Sequence, residues 1–192
     1  MIRIGQGFDI HRLVANKPLI IGGVNIKYDK GLDGHSDADV LLHAIIDALI
    51  GAMALGDIGK FYPDNDPNYK NVNSRKLLRN VMQIINKDNI KILNVDSTII
   101  AEEPKLASYT EIMRENISSD IGIEKSFINI INLGGFANLT CKSKDKLIAY
   151  DTGPANYLID AIAKKYFKKD FDRNGTFAKK GLVNEAALIA ML

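Results

Sequence analysis

Hydrophobic and polar positions along the 192-residue chain fall into strand-like and helix-like stretches that alternate almost from the first residue. Ile2, Ile4, Phe8 and Ile10 alternate with more polar neighbours around Gly5 and Gly7, which predicts a strand with a glycine-marked bend over Ile2 to His11. On such a strand Asp9 and His11, two residues apart, project from one face. Pro18 to Ile21 and Val24 to Tyr28 flank Gly22-Gly23, the pattern of two strands joined by a tight turn. Val40 to Met53 is apolar almost throughout, so a helix there is buried nearly all round, with Ser36 as its cap and Asp39 in the capping-box position. Ser74 to Lys87 predicts a second helix, capped by Ser74, with Leu77, Leu78, Val81, Met82, Ile84 and Ile85 inward and Arg75, Lys76 and Arg79 on the solvated side. Ile92 to Ala101 is rich in β-branched residues and predicts a strand leading into the loop Glu102-Glu103-Pro104-Lys105. An amphipathic helix over Tyr109 to Ser118 and an apolar strand over Phe127 to Leu133 follow. Further on come a strand and turn from Leu133 to Thr140, a strand from Leu147 to Tyr150, a helix from Ala155 to Tyr166 and a helical end from Asn184. The whole predicts an α/β (α+β) fold, a mixed sheet packed against helices.

Composition narrows the class without naming a function. Hydrophobic content of 46% and charged content of 25% suit a globular domain with a full core. A net charge of +2 gives no field that would recruit nucleic acid or a membrane surface. The apolar stretch Val40 to Leu55 is short and carries His43 and Asp47, which argues against a bilayer span. Met1 leads straight into the first predicted strand, with no secretory leader, and the single cysteine, Cys141, excludes an internal disulfide and suits a reducing cytoplasm.

Candidate chemistry clusters in the first third. Asp39, His43 and Asp47 recur every four residues on an otherwise apolar helix, and a buried carboxylate or imidazole left unpaired costs about 1–3 kcal/mol. All three histidines, His11, His35 and His43, lie in the first quarter of the chain. Asp9, His11 and His43 supply one oxygen and two nitrogens, a set suited to zinc with one tetrahedral position left for a substrate oxygen. The competing reading makes Asp9 a strand-end cap and the histidines polar surface. His35 precedes the helix N-terminus, where free N–H groups favour an anion such as phosphate. The turn-rich loop with Asp57, Gly59 and Asp64 could accept ribose hydroxyls or hold a hard cation, or be no more than a solvated turn.

Taken together, GFDIH, HSDADVLLHAIIDALIGAMALGDIG, YPDNDP and NVDSTIIAEEPKL resemble the 2-C-methyl-D-erythritol 2,4-cyclodiphosphate synthase family of the non-mevalonate isoprenoid pathway, over Met1 to about Asn129. The resemblance implies a subunit that forms a homotrimer with active sites between neighbours. It implies that Asp9, His11 and His43 bind zinc and that His35 and Ser36 contact phosphate. Asp57 and Gly59 would contact the ribose of a cytidine nucleotide, Asp64 would bind the substrate, and Ala101, Pro104, Lys105 and Leu106 would line the cytosine and diphosphate site contributed by the neighbour. His35 and Lys105 are the residues it assigns to catalysis, with Asp39 and Asp47 as candidates to orient His43. The implied reaction cyclises 4-diphosphocytidyl-2-C-methyl-D-erythritol 2-phosphate, the 2-phosphate attacking the β-phosphorus and CMP leaving, with Mg2+ bridging the diphosphate.

Past Ile130 the resemblance ends. The family's KATTTEKLGFTGRGEGI-like segment, whose threonines and glutamate grip phosphates and magnesium and whose last strand completes the subunit, is absent. In its place, Gly134 to Asn138 and the Asp151-Thr152-Gly153-Pro154 segment resemble an internal piece of anhydro-N-acetylmuramic acid kinase, of the actin and sugar-kinase ATPase superfamily. Asp151 would take that family's phosphoryl-transfer position, and Ala155 stands where its glycine is usual. The expected organisation is therefore residues 1–130 as a synthase-like unit without its last strands and 131–192 as a kinase-like fragment lacking a phosphate loop. Three readings follow: an impaired synthase, a non-catalytic zinc- and cytidine-nucleotide-binding remnant, or a kinase fragment. If the replacement segment cannot stand in for the missing strands, a sheet edge and an apolar face stay open.

Overall fold

A computed structural model describes residues 2–87, 90–133, 136–143, 146–154, 156–172 and 176–182. Gly134, Gly135, Ala155 and the helical end expected from Asn184 lie outside the described residues. In chain order the elements are β1 (Arg12–Ala15), β2 (Leu19–Ile21), β3 (Val24–Ile26), β4 (Lys30–Asp33), α1 (Val40–Ala52), α2 (Ile58–Phe61), α3 (Ser74–Lys87), β5 (Val95–Ile100), α4 (Thr110–Ile121), β6 (Ile128–Leu133), β7 (Phe136–Ser143), β8 (Lys146–Pro154) and α5 (Asn156–Phe167). β1 pairs with β4 and β2 with β3, both antiparallel, while β5, β6, β7 and β8 form one sheet in that order. β5 and β6 run parallel, and β7 and β8 continue antiparallel, so the mixed sheet expected from the pattern is present. Among the described residues no helix is long and apolar enough to cross a membrane.

α1 is the axis of the core. Leu42, Ile46 and Ile50 are wholly buried, and Leu78, Ile85, Met113, Ile117, Ile128 and Ile130 close around them from α3, α4 and β6. Its cap is Asp39, where the capping-box reading placed Ser36. Asp39 Oδ1 accepts from the N–H groups of Leu42 (3.1 Å) and Gly22 (2.9 Å), and Oδ2 accepts from Gly23 (2.6 Å). Gly22 and Gly23 hold φ of 60° and 70° at the β2–β3 turn, so one carboxylate ties the hairpin to the helix start. The α3 helix has the predicted bounds, but its basic residues are not a free face. Arg75 and Arg79 clasp the buried Asp120 of α4 at 2.6 and 2.7 Å. Arg114, also fully buried, donates to the carbonyls of Ile128 and Lys125 and to Glu111. A charge inside the core is tolerated here because each of its donors finds an acceptor.

Residues 2–11 differ from expectation. They form no strand, and among the described residues nothing pairs with the edge of β5 away from β6. Instead the segment lies against α1. A Cβ at Gly5 would stand 1.7 Å from the Ala48 carbonyl oxygen, and one at Gly7 would stand 1.9 Å from that of Ala44, so only glycine permits this approach. Ile2, Ile4, Phe8 and Ile10 point outward and are 83, 92, 74 and 78% exposed. A strand is defined by its neighbour, and alternation alone does not supply one. β6 extends through the junction between the two sequence resemblances without a break, and Asp151 is carried in β8 opposite Asn138.

Burial pushes the Asp39 carboxyl up to about 6, against the backbone hydrogen bonds that favour its charged form. Because this folded-state pKa exceeds the ordinary unfolded one, the associated stability is present below about pH 4 and is lost as pH rises towards 6. Urea unfolding across that window should show wild type losing on the order of 2–3 kcal/mol relative to Asp39→Asn. At pH 7 Asp39→Ala should cost about 1–3 kcal/mol, because three backbone donors lose their acceptor.

Candidate metal and phosphate site

The close approach of residues 5–7 to α1 carries Asp9 and His11 to the exposed side of His43, one turn into the helix. Asp9 Oδ2 lies 3.0 Å from His43 Nδ1, and Asp9 Oδ1 lies 3.2 Å from His11 Nδ1. One ligand atom from each residue falls within 4.8 Å of the others. The two imidazole rings are 5.5 Å apart and tilted by 55°. Gly34 makes room for His11: a Cβ there would sit 2.7 Å from its Nε2.

The fit to a metal can be read from two atoms. His11 Nδ1 is buried without a hydrogen-bond partner, since its 3.2 Å separation from Asp9 lacks the angle a bond requires. His43 has its proton placed by a chain of side chains. Ser74 Oγ donates to Asp37 Oδ1, which also receives Ser74 N–H on Oδ2 at 3.0 Å. Its lone pair therefore faces His43 Nε2 at 2.9 Å, with Ser36 Oγ at 3.0 Å on the same nitrogen. Nε2 thus carries the hydrogen and Nδ1 presents a lone pair towards Asp9, as a neutral metal-ligating histidine does. One carboxylate and two imidazole nitrogens match the donors of a zinc site with an open position.

Asp39 and Asp47, expected to orient His43, are engaged elsewhere. Asp39 caps α1, and Asp47 accepts from the Ile58 N–H at 2.7 Å, fixing the start of α2. The orienting pair is Ser74, which the sequence reading cast as a helix cap, and Asp37, to which it gave no role. Their contact spans 37 residues, and no local pattern could expose it.

A cavity of about 400 Å³ opens beside the cluster and is walled by Asp9, His11, His43, His35, Ser36, Gly59 and Asp64. His35 Nε2 is 2.9 Å from the Asp66 carbonyl oxygen, and Ser36 Oγ accepts from Ala38 N–H at 3.1 Å. Asp57 caps α2, accepting from Lys60 N–H at 3.0 Å, and lies outside that wall. Ala101, Pro104, Lys105 and Leu106 are also away from it. Leu106 is fully buried in the core, Lys105 is exposed, and Ala101 and Pro104 border a different groove.

A sequence model described as the YgbB family matches residues 2–140. The chain belongs to the YgbB family. A YgbB-family relative from Clostridium perfringens, named 2-C-methyl-D-erythritol 2,4-cyclodiphosphate synthase, is 58% identical over 129 residues, covering 67% of this chain and 83% of the relative. A solved structure of such a synthase in a CDP-bound form shares 33% identity with a TM-score of 0.64, over 68% of this chain and 87% of that one. The bifunctional IspDF of Campylobacter jejuni aligns at 38% identity and a TM-score of 0.61, over 68% of this chain and 35% of its own. A second sequence model, anhydro-N-acetylmuramic acid kinase, matches residues 120–192 and overlaps the YgbB match at the junction.

The Asp37–Ser74–His43 chain makes its own prediction. Ser74→Ala and Asp37→Asn should each weaken zinc binding about 10–100-fold in isothermal titration calorimetry, with the helical circular dichroism unchanged.

Proposed function

We propose that the chain is a cyclodiphosphate synthase of the non-mevalonate isoprenoid pathway. Its substrate is 4-diphosphocytidyl-2-C-methyl-D-erythritol 2-phosphate and its products are the 2,4-cyclodiphosphate and CMP. The observation that carries this reading is the Asp9–His11–His43 cluster, with its unpartnered His11 Nδ1, opening into the same cavity as His35 and Ser36. Residues 1–130 act as the synthase unit and 131–192 as a kinase-like fragment that lengthens the sheet. The unit works as a homotrimer in the cytoplasm, the neighbour supplying Ala101, Pro104, Lys105 and Leu106 to each nucleotide site.

The reaction brings two anionic phosphates into in-line contact, so orientation and neutralisation dominate its barrier. Asp9, His11 and His43 would hold a zinc ion, which would supply Lewis-acid polarisation of a phosphate, and a Mg2+ brought with the substrate would supply further charge neutralisation. Among the chain's own groups, Asp9 stands between the two imidazoles, and Ser74 with Asp37 holds the His43 proton on Nε2. Ser36, whose Oγ stands beside His43, and His35 contact phosphate next to the cluster, while Asp57 and Gly59 border the ribose and Asp64 contacts the substrate. Lys105 of the neighbour brings a positive charge to the diphosphate. The attacking phosphate is an anion at neutral pH, so the chain needs no general base.

The threonine and glutamate contacts of the family's last segment have no counterpart here. Several lost charge-stabilising contacts lower the rate by roughly a hundredfold or more. A binding remnant is the second reading, favoured by that same loss. Asp151 stands in a paired strand of a segment without a phosphate loop, and we assign it no kinase activity.

CMP release from the substrate, with Zn2+ and Mg2+ present, should be slow but measurable and should vanish in His43→Ala. Bound zinc and bound CDP without any release would establish the remnant reading instead.

A further inference from the structure

The cavity beside the metal cluster has an odd charge balance for a site that receives phosphates. Four of its lining side chains are carboxylates, Asp9, Asp33, Asp47 and Asp64, whereas among the described residues Arg12 is the one lysine or arginine that lines it. β1 places Arg12 there. Successive side chains of a strand face opposite ways, so Arg12 turns to this cavity while Leu13 turns to the larger apolar groove over α1. The charge of Arg12 is uncommitted. Asp33, the carboxylate opposite it in the β1–β4 ladder, is taken by Lys17 Nζ at 2.6 Å, and Arg12 makes no side-chain hydrogen bond or ion pair of its own among the described residues. Several other donors of the cavity are already spent. His35 gives its Nε2–H to the Asp66 carbonyl at 2.9 Å, and Tyr62 gives its hydroxyl hydrogen to the Leu77 carbonyl at 3.0 Å. The Nε2–H of His43 faces Ser36 and Ser74.

We infer that Arg12 is a further substrate-binding residue of this site, its guanidinium gripping a phosphoryl group at the cavity rim next to His11. The inference deepens the synthase reading and rests on it. A phosphoryl group brings its negative charge towards a wall of carboxylates, and a cation on that wall offsets the repulsion. The guanidinium also supplies geometry. It has five N–H donors in a planar fork and can pair two of them with two oxygens of one phosphate, which a single hydroxyl such as that of Ser36 cannot do. Arg12 is exposed and unpaired, so no existing bond has to break before a ligand is taken.

The test compares CDP with cytidine on the intact, zinc-loaded chain by isothermal titration calorimetry. Arg12→Ala should bind CDP at least about tenfold more weakly than wild type, with cytidine affinity and zinc stoichiometry unchanged. Arg12→Gln, which keeps an aliphatic stem and loses the charge, should repeat the loss, so a folding defect peculiar to the alanine variant does not decide the matter. Arg12→Lys, which keeps the charge and loses the fork, should fall in between. Wild-type CDP affinity should drop more steeply with added salt than that of Arg12→Gln. Equal CDP affinity in wild type and Arg12→Gln would overturn the inference and leave the synthase reading standing. Equal loss of CDP and cytidine in the variants would also overturn it, because Arg12 would then shape the pocket without holding phosphate. A wild-type chain that binds zinc and no CDP would overturn the inference and the synthase reading together, and the wild-type titration alone tells that failure from the other two.

Discussion

Much of this molecule depends on the close approach of residues 5–7 to the helix Val40–Ala52. Two glycines let the backbone rest almost on the carbonyls of Ala44 and Ala48, where any side chain would collide. That contact delivers Asp9 between His11 and His43, and the cluster then opens into the cavity shared with His35 and Ser36. The helix is itself positioned by Asp39, which draws the hairpin turn at Gly22-Gly23 onto its first turn. Asp47, one turn past His43, ties on the start of Ile58–Phe61. One apolar helix thus carries three polar residues on a single stripe, and each secures a different neighbour.

Much of the fold could be read locally. The hairpin, the helix Ser74–Lys87 and the strand Ile128–Leu133 follow their periodicity closely, because their turn residues and apolar faces lie within one short window. The donor trio was legible too, since an aspartate and histidine two apart and a histidine on a buried helix are unusual enough to draw attention. What escaped was non-local. The role of Ser74 depends on Asp37, and the basic face of Ser74–Lys87 turns out to grip Asp120 of another helix. Residues 2–11 have the alternation of a strand, but a strand also needs another strand to pair with, and none of the described strands pairs with them.

The same physics explains why the last third of the chain leaves the Asp9–His11–His43 cluster intact. The ligands and their supports, Asp9, His11, Ser36, Asp37, His43 and Ser74, all precede residue 75 and are held by contacts among themselves and the core. The strands after β6 fall on one edge of the sheet. There β7 and β8 pair with β6 as any hairpin of suitable alternation can. The opposite edge of β5 receives nothing from them.

The central claim is that Asp9, His11 and His43 form a functional metal centre in a chain that matches a second family model over residues 120–192. X-ray absorption at the zinc edge on the intact, zinc-loaded chain tests it most directly. The account predicts one ion per chain with two imidazole nitrogens and a carboxylate oxygen in its first coordination sphere, reduced by one nitrogen in His11→Ala. Zinc bound without imidazole, or not retained at one per chain, would contradict it.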